Sequence, residues 1–217
     1  GEGRKLVVAD RSNIEGRVAA WLAGEEWKLR AFRDYDEGKG PDLYLLTAGN
    51  ILGKKPEDVT KSERQAYGKT SELACQYQGA VGAYATMAQL LGVNVNETEA
   101  KDIVYDWRKT NSKIAAYWPA LDNAAREAIL QPGVVTKAGK VAFHVKDNWL
   151  RLRLPNGRFL CYSMPALVEH PKFQNATSVS YMGVNSYTRK WERLHTYGGK
   201  LFENICQAVA RDILFDN

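Results

Sequence analysis

The stretch from Leu6 to Arg17 constrains this chain more than any other, because an apolar run ends abruptly in a carboxylate and a helical pattern restarts almost at once. Leu6-Val7-Val8-Ala9 closed by a polar cluster predicts a buried strand. Ser12 with Glu15 three residues on predicts a capping box at a helix N-terminus. Asp10 then stands at the strand's exit, where a rigid element can present a carboxylate at the mouth of a site. An Asp so placed can hold Mg²⁺ through one oxygen while a neighbouring carbonyl and substrate phosphates fill further positions. The same residue type is also an ordinary strand-to-helix turn residue. The pattern alone leaves both readings open.

A chain of 217 residues is long enough to build a core without covalent staples. Cys75, Cys161 and Cys206 are far apart and form no CxxC pair, so neither a disulfide framework nor a zinc site is suggested, and reduced cysteines in a cytoplasmic setting are expected. The formal charge of +5 fits a partner that carries phosphates. No apolar run approaches the roughly 18 residues of a membrane span, and no signal-peptide pattern is present, so no membrane partner is expected. With no initiating Met, the chain reads as part of a longer one.

Along the chain, Ile14, Val18, Trp21 and Leu22 recur at helical spacing up to Gly24. A short helix is expected over residues 25–33, then a surface loop to Asp42. Asp42 caps an apolar helix through Leu52 that Gly53 ends. Thr60 and Glu63 form a second capping-box candidate, opening a long helix. Residues 98–130 give a helical apolar stripe that Pro119 is expected to break or kink. Residues 134–162 read as three or four antiparallel strands, with a strong hairpin signal at Pro155-Asn156-Gly157-Arg158. The last helix, from Gly198 or Gly199 to Phe215, is expected to bury Leu201, Ile205, Val209 and Ile213.

In the helix opened by Thr60, Lys69, Leu73 and Tyr77 recur every four residues and so line one face. Arg64 lies about 140° from Lys69 on an ideal α-helix, although a long side chain can swing toward the same face. Two cations can thus meet one phosphate chain. The plainer alternative is solvated cations with Leu73 and Tyr77 packed inward. Further on, residues 181–193 interleave cations and aromatics, Arg189, Lys190 and Arg193 among them. That mixture suits nucleic-acid contacts, and equally an edge strand protected by charge.

Together these stretches resemble two motifs of the family-A DNA polymerases, the bacterial DNA polymerase I group, and especially its phage-type branch. Asp10, Ser12, Glu15 and Arg17 resemble the palm motif, a strand ending in Asp-x-Ser-x-x-Glu-x-Arg. Arg64, Lys69, Leu73 and Tyr77 resemble the fingers motif. Trp107-Arg108, Tyr181-Met182-Gly183, Trp191-Glu192-Arg193 and Tyr197-Gly198-Gly199-Lys200, leading to Asn204, Gln207 and Arg211, extend the likeness along the whole chain.

The resemblance implies an α+β fold: helical fingers with a β-hairpin extension inserted in a partial polymerase palm. Residues 1–20 would be the first palm part, 21–185 the fingers with the extension, and 186–217 the second palm part. It implies template-directed nucleotidyl transfer from a dNTP to a primer 3′-hydroxyl by a two-metal mechanism. Asp10 and the Arg11 carbonyl would hold the two Mg²⁺ ions. Arg64 and Lys69 would hold the triphosphate, Lys69 with a catalytic part. Glu15 would lie under the incoming sugar, Leu73 beside the nucleotide, and Tyr77 near the templating position. Arg189, Lys190 and Arg193 would touch DNA. The implied partners are dNTP, primer-template DNA and the rest of the polymerase, its thumb and C-terminal palm, in a host cytoplasm.

Three departures qualify this. Arg64 precedes Lys69 by five residues where the family has four, and Leu73 replaces a common aromatic. The family's second metal carboxylate, in a His-Asp-Glu turn, has no match: His144, His170 and His195 are not followed by Asp-Glu. The expectation is therefore an isolated chain without polymerase activity, unless Glu203 or Asp212 supplies that ligand. The alternative is a degenerate, non-catalytic domain that binds nucleotide or nucleic acid.

Overall fold

The computed structural model describes residues 11–215. The expected strand before Asp10, and Asp10 itself, lie outside them. Among the described residues the chain is mixed helix and antiparallel sheet, as an α+β reading requires.

Helix α1, Ile14–Ala23, buries Val18, Ala19, Ala20 and Leu22, and ends where Gly24 turns left-handed (φ 73°) and returns its N–H to the Ala20 carbonyl. Its start corrects the capping-box expectation. Asn13, itself left-handed (φ 53°), is the N-cap, and no side chain caps the helix. Glu15 is engaged elsewhere, as described below. Helix α2, Glu26–Asp36, runs past the expected end. Arg17 fastens α1 to it, with a two-pronged ion pair to Asp36 at 2.6 and 2.7 Å and its guanidinium over the Phe32 ring. Helix α3, Leu43–Leu52, follows the sequence pattern at both ends: Asp42 accepts from the Tyr44 and Leu45 N–H groups, and Gly53 is left-handed.

The next helix begins with the expected Thr60–Glu63 capping box in α4, Lys61–Glu63. It then widens into a π-helix over Arg64–Thr70 and narrows again in α5, Ser71–Cys75. Helices α6 (Val81–Leu90), α7 (Glu97–Thr110) and α8 (Ser112–Leu130) complete the helical part. The expected break at Pro119 falls instead at Asn111, and α8 continues through the proline. The reason lies far away in sequence. The buried Glu25 carboxylate accepts from the Lys113 and Ile114 N–H groups at 2.9 and 3.2 Å, satisfying donors that the first turn of α8 leaves open.

Strands β1 (Val135–Ala138), β2 (Val141–Lys146), β3 (Trp149–Arg153), β4 (Phe159–Glu169), β5 (Thr177–Val184) and β6 (Trp191–Thr196) form one antiparallel meander in chain order. Asp147 and Asn148, both with positive φ, make the two-residue β2–β3 turn. Pro155–Arg158 makes the β3–β4 turn as expected, and a bulge interrupts β4 between Ser163 and Ala166. Position 185 falls in the β5–β6 turn.

One face of the sheet packs on α8 and on α9, Gly198–Phe215: Phe143, Leu150, Leu152 and Tyr162 share a core with Ile114, Leu121, Phe202 and Ile205. Helix α9 buries Leu201, Ile205 and Val209, with Ile213 half-buried against the same core. The buried Asp212 holds the β3–β4 turn, accepting from Arg158 and Asn156 at 2.8 Å each. A Cβ at Gly199 would come within 2.4 Å of the Tyr77 carbonyl, so this glycine lets α9 start directly against the end of the helix that carries Lys69 and Leu73.

Candidate nucleotide-binding site

Glu15 sits in the first turn of α1 and Tyr77 just after α5. The Tyr77 hydroxyl donates to Glu15 Oε2 at 2.8 Å. Burial drives the Tyr77 hydroxyl far above its ordinary pKa, and the nearby Cys206 thiol and the Glu15 carboxylate push the same way. The ring packs edge-on against Phe202. The ring of Tyr77 is thus packed against the core while its hydroxyl is held by the Glu15 carboxylate.

Around this contact lies a cleft of about 320 Å³, lined by Arg11, Glu15, Tyr44, Leu73, Gln76 and Tyr77 among others. The structure thus brings together four of the residues singled out from sequence. Leu73 is 46% exposed at this cleft, so it is not a core residue.

Beneath the cleft is a feature that the sequence did not reveal. Lys28 Nζ donates to Glu72 Oε2 at 2.6 Å, and both side chains are out of solvent. Thr47 Oγ1 donates to the other Glu72 oxygen at 2.7 Å, and Lys28 lies 5.1 Å from the centre of the Trp107 ring. Glu72 also lines the cleft. This ion pair ties α2, α3 and α5 together directly below Leu73. Nothing in the local sequence marks Glu72 as buried.

Arg64 and Lys69 part company. Arg64 Nε meets Asp42 Oδ2 at 3.1 Å, and its guanidinium lies over the Tyr44 ring at 5.1 Å. It is committed to the start of α3, and it lines a different cleft with Lys61, Gln65, Tyr67 and Asn94. Lys69 is half-buried and, among the described residues, makes no ion pair or hydrogen bond.

Between them, the π turn absorbs the extra residue of spacing, since one added residue per turn is what separates i→i+5 from i→i+4 bonding. Side-chain hydroxyls meet its carbonyls. Thr70 donates to Gln65, Tyr84 to Ala66, and Ser71 to Tyr67 and Gly68. Gly68 is required there, because a Cβ would stand 2.1 Å from the Tyr44 carbonyl.

The remaining candidates lie elsewhere. Arg189 and Lys190 are exposed in the β5–β6 turn. Arg193 on β6 donates to the Met164 carbonyl and to Ser180 Oγ at 3.1 and 3.0 Å. For a metal, the described residues contain no group of three or more His, Cys, Asp or Glu able to hold an ion. The Arg11 carbonyl accepts the Ile14 N–H at 3.1 Å. Glu203 pairs with Lys200, and Asp212 is taken by Arg158. The described residues thus do not themselves make a Mg²⁺ site. No helix among them is long and apolar enough to cross a membrane.

No family model matches the chain. It is 39% identical over 214 residues, 98% of its length, to the DNA polymerase of Bacillus phage SP02, and this match covers 32% of that protein. It is 37% identical over 101 residues, 46% of the chain, to DNA polymerase I of Aquifex aeolicus, covering 17% of it. It is 36% identical over 99 residues to the thermostable DNA polymerase I of Thermus filiformis, covering 11%. The chain spans about a third of the length of the phage relative and less of the bacterial ones. Along its whole length, then, the chain is similar to a phage DNA polymerase, and over just under half of it to bacterial enzymes of the DNA polymerase I group.

Proposed function

We propose that this chain is the nucleotide-binding part of a template-directed DNA polymerase, which transfers a nucleotidyl group from a dNTP to a primer 3′-hydroxyl. The observation that carries the reading is the Glu15–Tyr77 hydrogen bond, which closes one cleft around Arg11 and Leu73. In this reading residues 1–20, with most of α1, are the first palm part, residues 21–185 are the fingers with their β extension, and residues 186–217, with β6 and α9, are the second palm part. Glu15, held by Tyr77, forms the floor under the sugar, where its carboxylate obstructs a 2′-hydroxyl. Leu73 supplies an apolar wall. Lys69, left without an internal anion, is available to triphosphate oxygens, and Arg64 supports α3. Arg189, Lys190 and Arg193 face primer-template DNA. The two Mg²⁺ ions, which Asp10 and the Arg11 carbonyl would hold, belong to this proposal through the family resemblance, and when bound they would supply activation of the primer hydroxyl and neutralisation of the triphosphate. The proposed setting is a host-cell cytoplasm, with the rest of the polymerase as covalent partner.

The test is primer extension with the full-length parental polymerase and, separately, with the 217-residue chain. Extension by the parent that Glu15→Ala or Lys69→Ala impairs, with background activity in the short chain, supports the reading. A correctly folded parent that extends no primer favours the non-catalytic alternative. Robust extension by the short chain, abolished by Asp10→Ala, would show that it carries a complete site of its own.

A further inference from the structure

The face of the sheet turned away from α8 and α9 plays no part in the nucleotide cleft. Side chains alternate across a strand, and directly paired residues share a face. With Phe143, Leu152, Tyr162 and Val179 buried toward the helices, the register puts Lys137, Lys146, Arg151, Arg153 and Arg193 on the open side. Three large rings stand among these cations. Trp149 pairs with Lys146, Phe159 pairs with Arg153, and Trp191 lies two residues before Arg193 on β6. Their exposures are 40%, 49% and 59%.

No carboxylate opposes them from the strands. The two strand acids, Glu169 and Glu192, pair with Thr177 and Gly183 on the opposite face. Asp147, in the β2–β3 turn, reaches only Arg151, at 3.5 Å. Lys137, Lys146 and Arg153 make no ion pair or hydrogen bond among the described residues. Six strands at the usual spacing give a platform about 24 Å across.

The chemistry selects the ligand. Unopposed cations call for a polyanion, and exposed rings spaced among them call for flat partners that can stack. A duplex offers phosphates but keeps its bases stacked inside, so the rings would find nothing. A single strand offers both. We propose that this open face is a single-strand nucleic-acid platform, separate from the nucleotide cleft: unpaired bases stack on Trp149, Phe159 and Trp191 while the backbone follows the cations.

The test uses the 217-residue chain and a labelled oligo-dT strand, read by fluorescence anisotropy and tryptophan quenching at low salt. Neither dNTP nor catalysis enters, so its outcome is independent of the polymerase reading. The chain should bind oligo-dT more tightly than a blunt duplex of equal length. Trp149→Ala and Phe159→Ala should each weaken that binding about fivefold or more and leave duplex affinity unchanged, while Trp149→Phe retains most of it. Arg153→Glu should weaken binding and flatten its salt dependence. All three positions are exposed, and circular dichroism confirms the fold of each variant. Equal affinity for duplex and single strand, or ring variants that bind as the parent does, would overturn the proposal.

Discussion

Tyr77 and Glu15, sixty-two residues apart in the chain, meet through a single hydrogen bond of 2.8 Å from the phenol to the carboxylate. That bond joins the first turn of α1 to the end of the helix carrying Lys69 and Leu73, so it sets the width of the cleft between them.

The first prediction concerns this bond. A hydrogen bond to a charged group contributes about 1.5–3 kcal/mol when well shielded, and Glu15 is only half-buried, so the lower end applies. Tyr77→Phe and Glu15→Gln should each destabilise the chain, and the double variant should cost less than their sum by about 1 kcal/mol. Urea unfolding of the four proteins measures this. Additive effects would mean that the two side chains do not interact in solution.

Lys69 should act on nucleotide and not on folding. In the full-length polymerase, losing a charge-assisted phosphate contact corresponds to about 1.5–3 kcal/mol, so Lys69→Ala should slow incorporation at least about tenfold. The melting temperature should hardly move, because Lys69 has no internal partner among the described residues. An unchanged incorporation rate would remove Lys69 from the site.

The Lys28–Glu72 pair should behave in the opposite way. Breaking a buried pair by removing one partner leaves an uncompensated charge and costs about 3–5 kcal/mol. Lys28→Met should therefore unfold the chain at much lower denaturant. Lys28→Met combined with Glu72→Leu should recover much of the loss, since apolar replacement of both partners is often neutral. A double variant weaker than the single one would show that Thr47 and Trp107 depend on the charges.

Acid should loosen the start of the same helix. Lys54 and the Thr60 backbone and hydroxyl hold the Glu63 carboxyl down at about 2, below its ordinary value of 4.5. A depressed carboxylate contributes stability that is fully present above the ordinary value and is lost as pH falls through the lower one. The capping box should therefore weaken between pH 4.5 and about 2. Carboxyl NMR should give a Glu63 midpoint near 2, and Thr60→Ala should raise it. A midpoint at the ordinary value would mean that the box is open in solution.

What was legible in the sequence was whatever neighbouring residues decide among themselves. The ends of α3 at Asp42 and Gly53, the Thr60–Glu63 box, the β3–β4 turn and the apolar face of α9 all follow from local rules. The misreadings share one cause, a distant partner that outbid a local one. Glu15 had the form of a capping-box residue, yet Tyr77 takes its carboxylate. The break expected at Pro119 moved to Asn111 because Glu25 caps α8 from α2's entrance. Glu72 was invisible as a buried ion because Lys28 reaches it from another helix. In the cleft itself, Leu73 and Tyr77 were correctly placed on one face, whereas Arg64 was not, since ideal α-helical geometry does not describe the turn that follows it.

That wide turn gives the helix two independent rotational phases. Its N-terminal end is fixed by Thr60 and by the Arg64–Asp42 pair, and its C-terminal end by Glu72 and Tyr77. A uniform α-helix of the same length would misalign one end by about 100°. With the extra residue confined between two anchored ends, the turn works like a slip in a gear train: it lets the clamp on α3 and the face toward the cleft be set separately. Substitutions that retune one end therefore need no matching change at the other.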